Sequence, residues 1–132
     1  LIGDKVVTGA PGRDTHPHRL DLGEAWHQIT GLPFVFATWM SRLGDDLGDL
    51  PRRLTLRRRL NRDRLDDIVA RHAGPRGWDP ARATRYLGSI LRYRVCPREL
   101  RAMELFWSRC HELGIIGELR PLRLYPVERP ED

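Results

Sequence analysis

The stretch that decides the fold is Asp21-Leu22-Gly23-Glu24-Ala25-Trp26-His27-Gln28-Ile29-Thr30-Gly31-Leu32-Pro33-Phe34-Val35-Phe36-Ala37-Thr38-Trp39-Met40. Asp21, with Glu24 three residues on, has the spacing of a helix N-cap and its reciprocal partner, and Leu22, Ala25, Trp26 and Ile29 then fall on one helical face. That face has to be covered. Gly31 suits the left-handed conformation that ends a helix, Pro33 prevents its resumption, and Phe34 to Met40 is an apolar run of strand length. A run without polar alternation predicts a strand covered on both faces, and hence an α/β fold with its sheet between helices.

Outward from this stretch, the chain reads as punctuated helices. Pro51 sits behind Asp49 at a helix start, Asn61 offers a second cap before Leu65, Ile68 and Val69, and Gly74-Pro75 closes that segment. Asp79-Pro80 opens the next helix, with Ala83, Tyr86, Leu87, Ile90 and Leu91 as its stripe. Pro97 opens the last, where Leu100, Met103, Phe106, Trp107, Cys110 and Leu113 recur at core spacing until Gly114 stops it. Pro121, Pro126 and Pro130 mark an extended tail, with 126–132 expected to be disordered.

Composition excludes more than it selects. The 132 residues carry a net charge of +5, and Lys5 is the only lysine. Arginines 52, 53, 57, 58, 59, 62 and 64 are the best candidate for a polyanion contact, but Asp63, Asp66 and Asp67 lie within pairing distance and no aromatic residue interleaves. The run therefore reads as a solvated helix face, with no nucleic-acid partner expected. Cys96 and Cys110 have neither metal nor redox spacing. His16 and His18 lack the further ligands that a zinc site needs, so no metal is expected. No apolar run approaches the length of a membrane span, and neither a membrane partner nor an oxidising compartment is expected.

The elements Asp21-Leu22-Gly23-Glu24-Ala25-Trp26 and Thr30-Gly31-Leu32-Pro33-Phe34-Val35-Phe36-Ala37-x-Trp39 resemble the chorismate dehydratase family of the futalosine route to menaquinone. Leu1-Ile2-Gly3-Asp4 is similar to that family's strand-end Ile-Gly-Asp, and Tyr86-Leu87, Tyr93, Phe106 and Gly114 resemble its closing helices. The sister enzyme, 1,4-dihydroxy-6-naphthoate synthase, shares Asp-Leu-Gly-x-x-Trp but usually carries Pro-Leu-Gly-Gly where this chain has Pro33-Phe34-Val35-Phe36. The resemblance spans residues 1 to 117 and corresponds to the C-terminal half of a family member, so the chain is expected to be a fragment, inactive by itself.

The resemblance implies a type II periplasmic-binding-protein-like fold. Residues 1–33 would be a remnant of the second, inserted lobe, and 34–125 the hinge strand and C-terminal helices of the first. It implies a cytoplasmic hydro-lyase that dehydrates chorismate to 3-[(1-carboxyvinyl)oxy]benzoate without a cofactor, with a homodimer left open. The substrate-binding residues expected are Gly3 and Asp4 at the crevice mouth, and Phe34, Phe36 and Trp39 along the hinge strand. The family's catalytic residues lie upstream of Leu1, so none is expected here. The competing readings are the sister synthase, a non-enzymatic solute-binding protein, and an arginine-rich nucleic-acid binder.

Overall fold

The computed structural model describes residue 9 and residues 11–125. The chain forms α1 (Leu22–Thr30), α2 (Leu50–Asp63), α3 (Leu65–His72), a 3-10 turn (Gly74–Arg76), α4 (Pro80–Arg85), a π-turn (Tyr86–Ile90) and α5 (Pro97–Glu112). No strand occurs among the described residues, so the α/β periplasmic-binding-protein-like expectation is corrected: the architecture is helical. The run Phe34 to Met40, expected to be a strand, has no regular structure, and no segment among the described residues supplies it with a hydrogen-bond ladder. Nor is it covered on both faces, since Phe36 is 71% exposed and Trp39 and Met40 are each 86% exposed. Aromatic and β-branched content favours extended backbone. A strand also needs a partner.

Contacts divide the chain into two units. One comprises Leu47–Tyr93 with the described residues before Leu20; the other joins Leu20–Asp46 to the chain from Arg94 onward.

In the first unit α2 begins with Pro51 in its opening turn, yet the Asp49 carboxylate makes no capping bond and instead lies 3.8 Å from the Arg52 guanidinium. Asn61 does not cap the next helix, because the chain remains helical past it and breaks at Arg64, with φ −117° and ψ 25°. Further on, Gly74-Pro75 ends α3 as expected, tightening the chain into the 3-10 turn before Gly77 reverses it at φ 69°. Asp79 then caps α4, accepting the Arg82 N–H at 2.8 Å. After six residues α4 loosens into the π-turn, which closes through the Leu91 N–H on the Tyr86 carbonyl at 2.9 Å. Gly88 lies in that turn, and a Cβ there would stand 2.7 Å from Leu65 Cδ2, so that side chain would have to shift. The small side chains thus set the approach of α3 and the π-turn: Val69, Ala73 and Ala83 form the buried centre, with Leu65, Trp78 and Leu87 packed against it.

In the second unit Asp21 caps α1 through bonds from the Gly23 and Glu24 N–H groups at 2.8 and 3.0 Å. Gly31, at φ 69°, terminates it by donating to the His27 carbonyl. Of the expected apolar face, Ala25 and Trp26 are partly covered, whereas Leu22 and Ile29 are exposed. The Arg98 guanidinium, in the first turn of α5, donates to the Gly31 carbonyl at 2.7 Å. A cation is thereby set at the carbonyl end of α1, where the helix dipole favours positive charge. Helix α5 opens with Pro97 and a capping box in which the Glu99 carboxylate accepts the Cys96 N–H at 2.9 Å. Gly114 follows its end at φ 69°. The α5 stripe is not all core. Ala102 is buried, Leu100, Met103, Trp107 and Cys110 are half-buried, and Phe106 and Leu113 are exposed.

Two aspartates precede helix-opening prolines, and only one caps. Asp79→Ala is expected to cost about 1 kcal/mol of stability, and Asp49→Ala less than about 0.5 kcal/mol. Urea denaturation midpoints at constant slope measure the difference. Equal effects would show that the capping bond of Asp79 carries no weight.

Candidate functional site

The second unit builds its concave surface from Pro33 outward. The Trp26 indole N–H donates to the Pro33 carbonyl at 3.2 Å, anchoring the start of the Phe34–Met40 segment to α1. Phe34 then becomes the hub of an aromatic cluster. Its ring centroid lies 6.0 Å from Trp26, 5.3 Å from Phe106 and 4.9 Å from Phe36, all edge-on with interplanar angles of 76°, 89° and 70°. Trp26 also meets Phe106 edge-on at 5.7 Å. Such pairs contribute about 0.5–1.5 kcal/mol each beyond the area they bury.

This cluster and α5 enclose a cleft of about 180 Å³, with the buried Ala102 and the flexible Met40 and Met103 among its walls. Thr38 brings the only side-chain hydroxyl among the lining residues, which include no ionisable group. Walls of this kind can hold an apolar ring and exclude water around it. They cannot move a proton.

Of the five residues expected to contact a ligand, Phe34 and Phe36 line the cleft. Trp39 is on the same segment but is not among the lining residues and faces solvent. Gly3 and Asp4 lie outside the described residues. Trp26 and Phe106, which sequence reasoning assigned to helix faces, are brought into the cluster. Their aromatic character was the available signal, and their meeting with Phe34 depends on how α1 and α5 pack. Gly23 belongs here as well: a Cβ at that position would stand 2.9 Å from the Phe36 ring, so the bare backbone of α1 lets that ring lie close.

A second concavity lies within the first unit. It has a volume of about 410 Å³ and is lined by Val69, Ala73 and Ala83 with His72, Arg76, Trp78 and Tyr86 among the surrounding side chains. Trp78 and Tyr86 are tilted at 49° with centroids 5.4 Å apart. In the same unit, partial burial pushes the Tyr93 hydroxyl above the usual phenol value of 10.0, and the neighbouring Tyr86 adds to the shift. His16 and His18 are exposed, and no three metal-ligating side chains come together among the described residues. Among those residues, too, no helix is long and apolar enough to cross a membrane.

Two outcomes follow from this geometry. Phe34→Ala removes the hub and is expected to cost about 2–3 kcal/mol, somewhat less than a fully buried Phe→Ala. Phe36→Ala, at an exposed ring, is expected to stay within about 0.5–1 kcal/mol. Thermal and urea unfolding measure both, and equal losses would remove Phe34 from the hub. For Tyr93, a raised folded-state pKa means that stability is intact below the unfolded value and declines as pH rises through the folded one. Tyr93→Phe should therefore narrow the loss of stability measured between about pH 8 and about pH 11; an unchanged loss would contradict the shift.

The family described as menaquinone biosynthesis matches residues 1–112. No protein of curated function and no solved structure matches the chain. The matched residues contain α1, the Pro33–Met40 segment and α5, so the whole lining of the aromatic cleft falls inside them. The chain belongs to the menaquinone biosynthesis family.

Proposed function

We propose that the chain is part of a hydro-lyase that converts chorismate to 3-[(1-carboxyvinyl)oxy]benzoate. In that reaction the ring hydroxyl and a ring hydrogen leave together as water, and the ring becomes aromatic. The observation carrying this reading is the segment Pro33-Phe34-Val35-Phe36, whose two phenyl rings wall the cleft. The sister synthase usually has Pro-Leu-Gly-Gly there, and a pair of glycines would leave no such wall.

The cleft suits a positioning role. An apolar wall closed on one side by Phe34 and Phe36 can orient a six-membered ring, and holding a substrate at near-attack geometry accounts for a large part of many barriers. The lining includes no charged side chain, so the substrate's carboxylates and the leaving proton would have to be met by groups other than these walls. No catalytic residue is assigned to the described chain.

The test uses the protein carrying this chain together with whatever its coding sequence places before Leu1. Chorismate should be consumed with the appearance of an aromatic product, followed by ultraviolet absorbance and by chromatography, while the sister synthase's substrate is left unchanged. Phe36→Ala should raise KM about three- to tenfold with little change in kcat, the signature of lost uniform binding. Turnover of the sister substrate alone would replace this reading by the synthase. Turnover of neither, with tight binding of a solute, would make it a binding protein.

A further inference from the structure

The first unit's cavity has features that the aromatic cleft lacks. Its floor is the buried trio Val69, Ala73 and Ala83, and Trp78 and Tyr86 stand on it as a tilted aromatic pair. Arg76 and His72 are also on the lining, and no acidic residue is among the lining side chains. The Arg76 guanidinium stands 3.5 Å from the His72 ring nitrogen and 3.4 Å from the His72 backbone carbonyl oxygen. Elsewhere several arginines are matched with carboxylates: Arg52 with Asp49, Arg62 with Asp63, Arg64 with Asp67, Arg109 with Glu112. Among the described residues, Arg76 is within ion-pair distance of no carboxylate. A planar cation offering a forked set of donors, on the same lining as two aromatic rings and a buried apolar trio, is complementary to a flat ring bearing a carboxylate.

We propose that this cavity is a binding site for a small aromatic carboxylate, its ring stacked against Trp78 and Tyr86 and its carboxylate paired with Arg76. The aromatic faces supply contact area and the guanidinium supplies the preference for an anion. A neutral ring of the same shape gains the first and forgoes the second. The site is confined to one unit and shares no lining residue with the aromatic cleft. Its ligand class overlaps with the substituted benzoate of the proposed reaction, but the two readings fail separately, because one is read at Trp78 and the other by turnover.

The experiment titrates the ¹⁵N-labelled full chain with benzoate and, separately, with benzamide, following the Trp78 indole N–H resonance, which Trp78→Phe identifies by its disappearance. Benzoate should shift that resonance saturably, with an affinity at least about tenfold above that of benzamide. Arg76→Gln should bring the two affinities within about twofold of each other. No saturable shift with benzoate, or equal binding of benzamide by the unsubstituted chain, overturns the proposal whether or not Arg76→Gln folds. So does an Arg76→Gln chain that is folded by circular dichroism and keeps the full preference for benzoate.

Discussion

The second unit depends on a change of direction enforced over three residues. Gly31 ends α1 in the left-handed region, Pro33 forbids further helix, and the Trp26 indole reaches back to hold the Pro33 carbonyl. Together with the bonds that the Leu32 backbone makes with Thr30 Oγ1 and with the His27 ring, that bond fixes how the segment leaves α1. With it, Phe34 is delivered against Phe106 of α5, and the Arg98 bond to the Gly31 carbonyl ties the same corner to the first turn of α5. Two hydrogen bonds and one aromatic hub therefore fix α1 and the segment after it to α5, which lies more than sixty residues further along the chain. This economy matters because the buried apolar content is small, with Ala102 the one residue of α5 that is buried.

The first unit solves the same problem by different means. Its buried residues among those described are Val69, Ala73 and Ala83, none of them large, and the Leu65 methyl lies close over Gly88, which has no Cβ. Small residues let backbones approach, but they bury little area, so hydrophobic stabilisation per contact is modest. The capping bond of Asp79 and the tight Gly74–Arg76 turn consequently carry a larger share of what orders this unit than they would in a domain with a full core. The exposed ion pairs along α2 and α3 add little, since such pairs are screened by water and contribute about 0–1 kcal/mol.

Local signals in the sequence were legible because their physics is local. Asp21, Gly31, Asp79, Pro97 and Gly114 act through hydrogen bonds and backbone angles within a turn, and each does in the structure what its chemistry requires. Asn61 shows the limit, since a good capping side chain does nothing when the chain stays helical through it. The failure at Phe34 to Met40 is of a different kind. Extended conformation is a property of the segment, but membership of a sheet is a property of its neighbours, and no ladder partner is present among the described residues. The same division applies to the site. Phe34, Phe36 and Trp39 were equally available from their run, yet only the first two line the cleft, and the arrival of Trp26 and Phe106 beside them depends on packing between helices that no spacing encodes. The cavity in the first unit escaped for that reason too, because His72, Arg76, Trp78 and Tyr86 are spread from α3 to the π-turn and meet only through packing.

The two concavities differ in what they can do with charge. Moving an ionised carboxylate from water into a wall of phenyl rings, methionines and alanine costs several kcal/mol unless a donor or cation meets it. In the aromatic cleft the lining residues include neither, so a ligand there can seat its ring among Phe34, Phe36 and Phe106 only if its charged groups stay solvated or are met from outside these walls. In the first unit's cavity Arg76 lies on the lining, and its forked donors can replace the water a carboxylate gives up. Ring recognition is thus common to both, and anion recognition is available from side chains in one. It follows that neutral and anionic aromatic probes should partition differently between them, because a guanidinium lines one and no charged side chain lines the other.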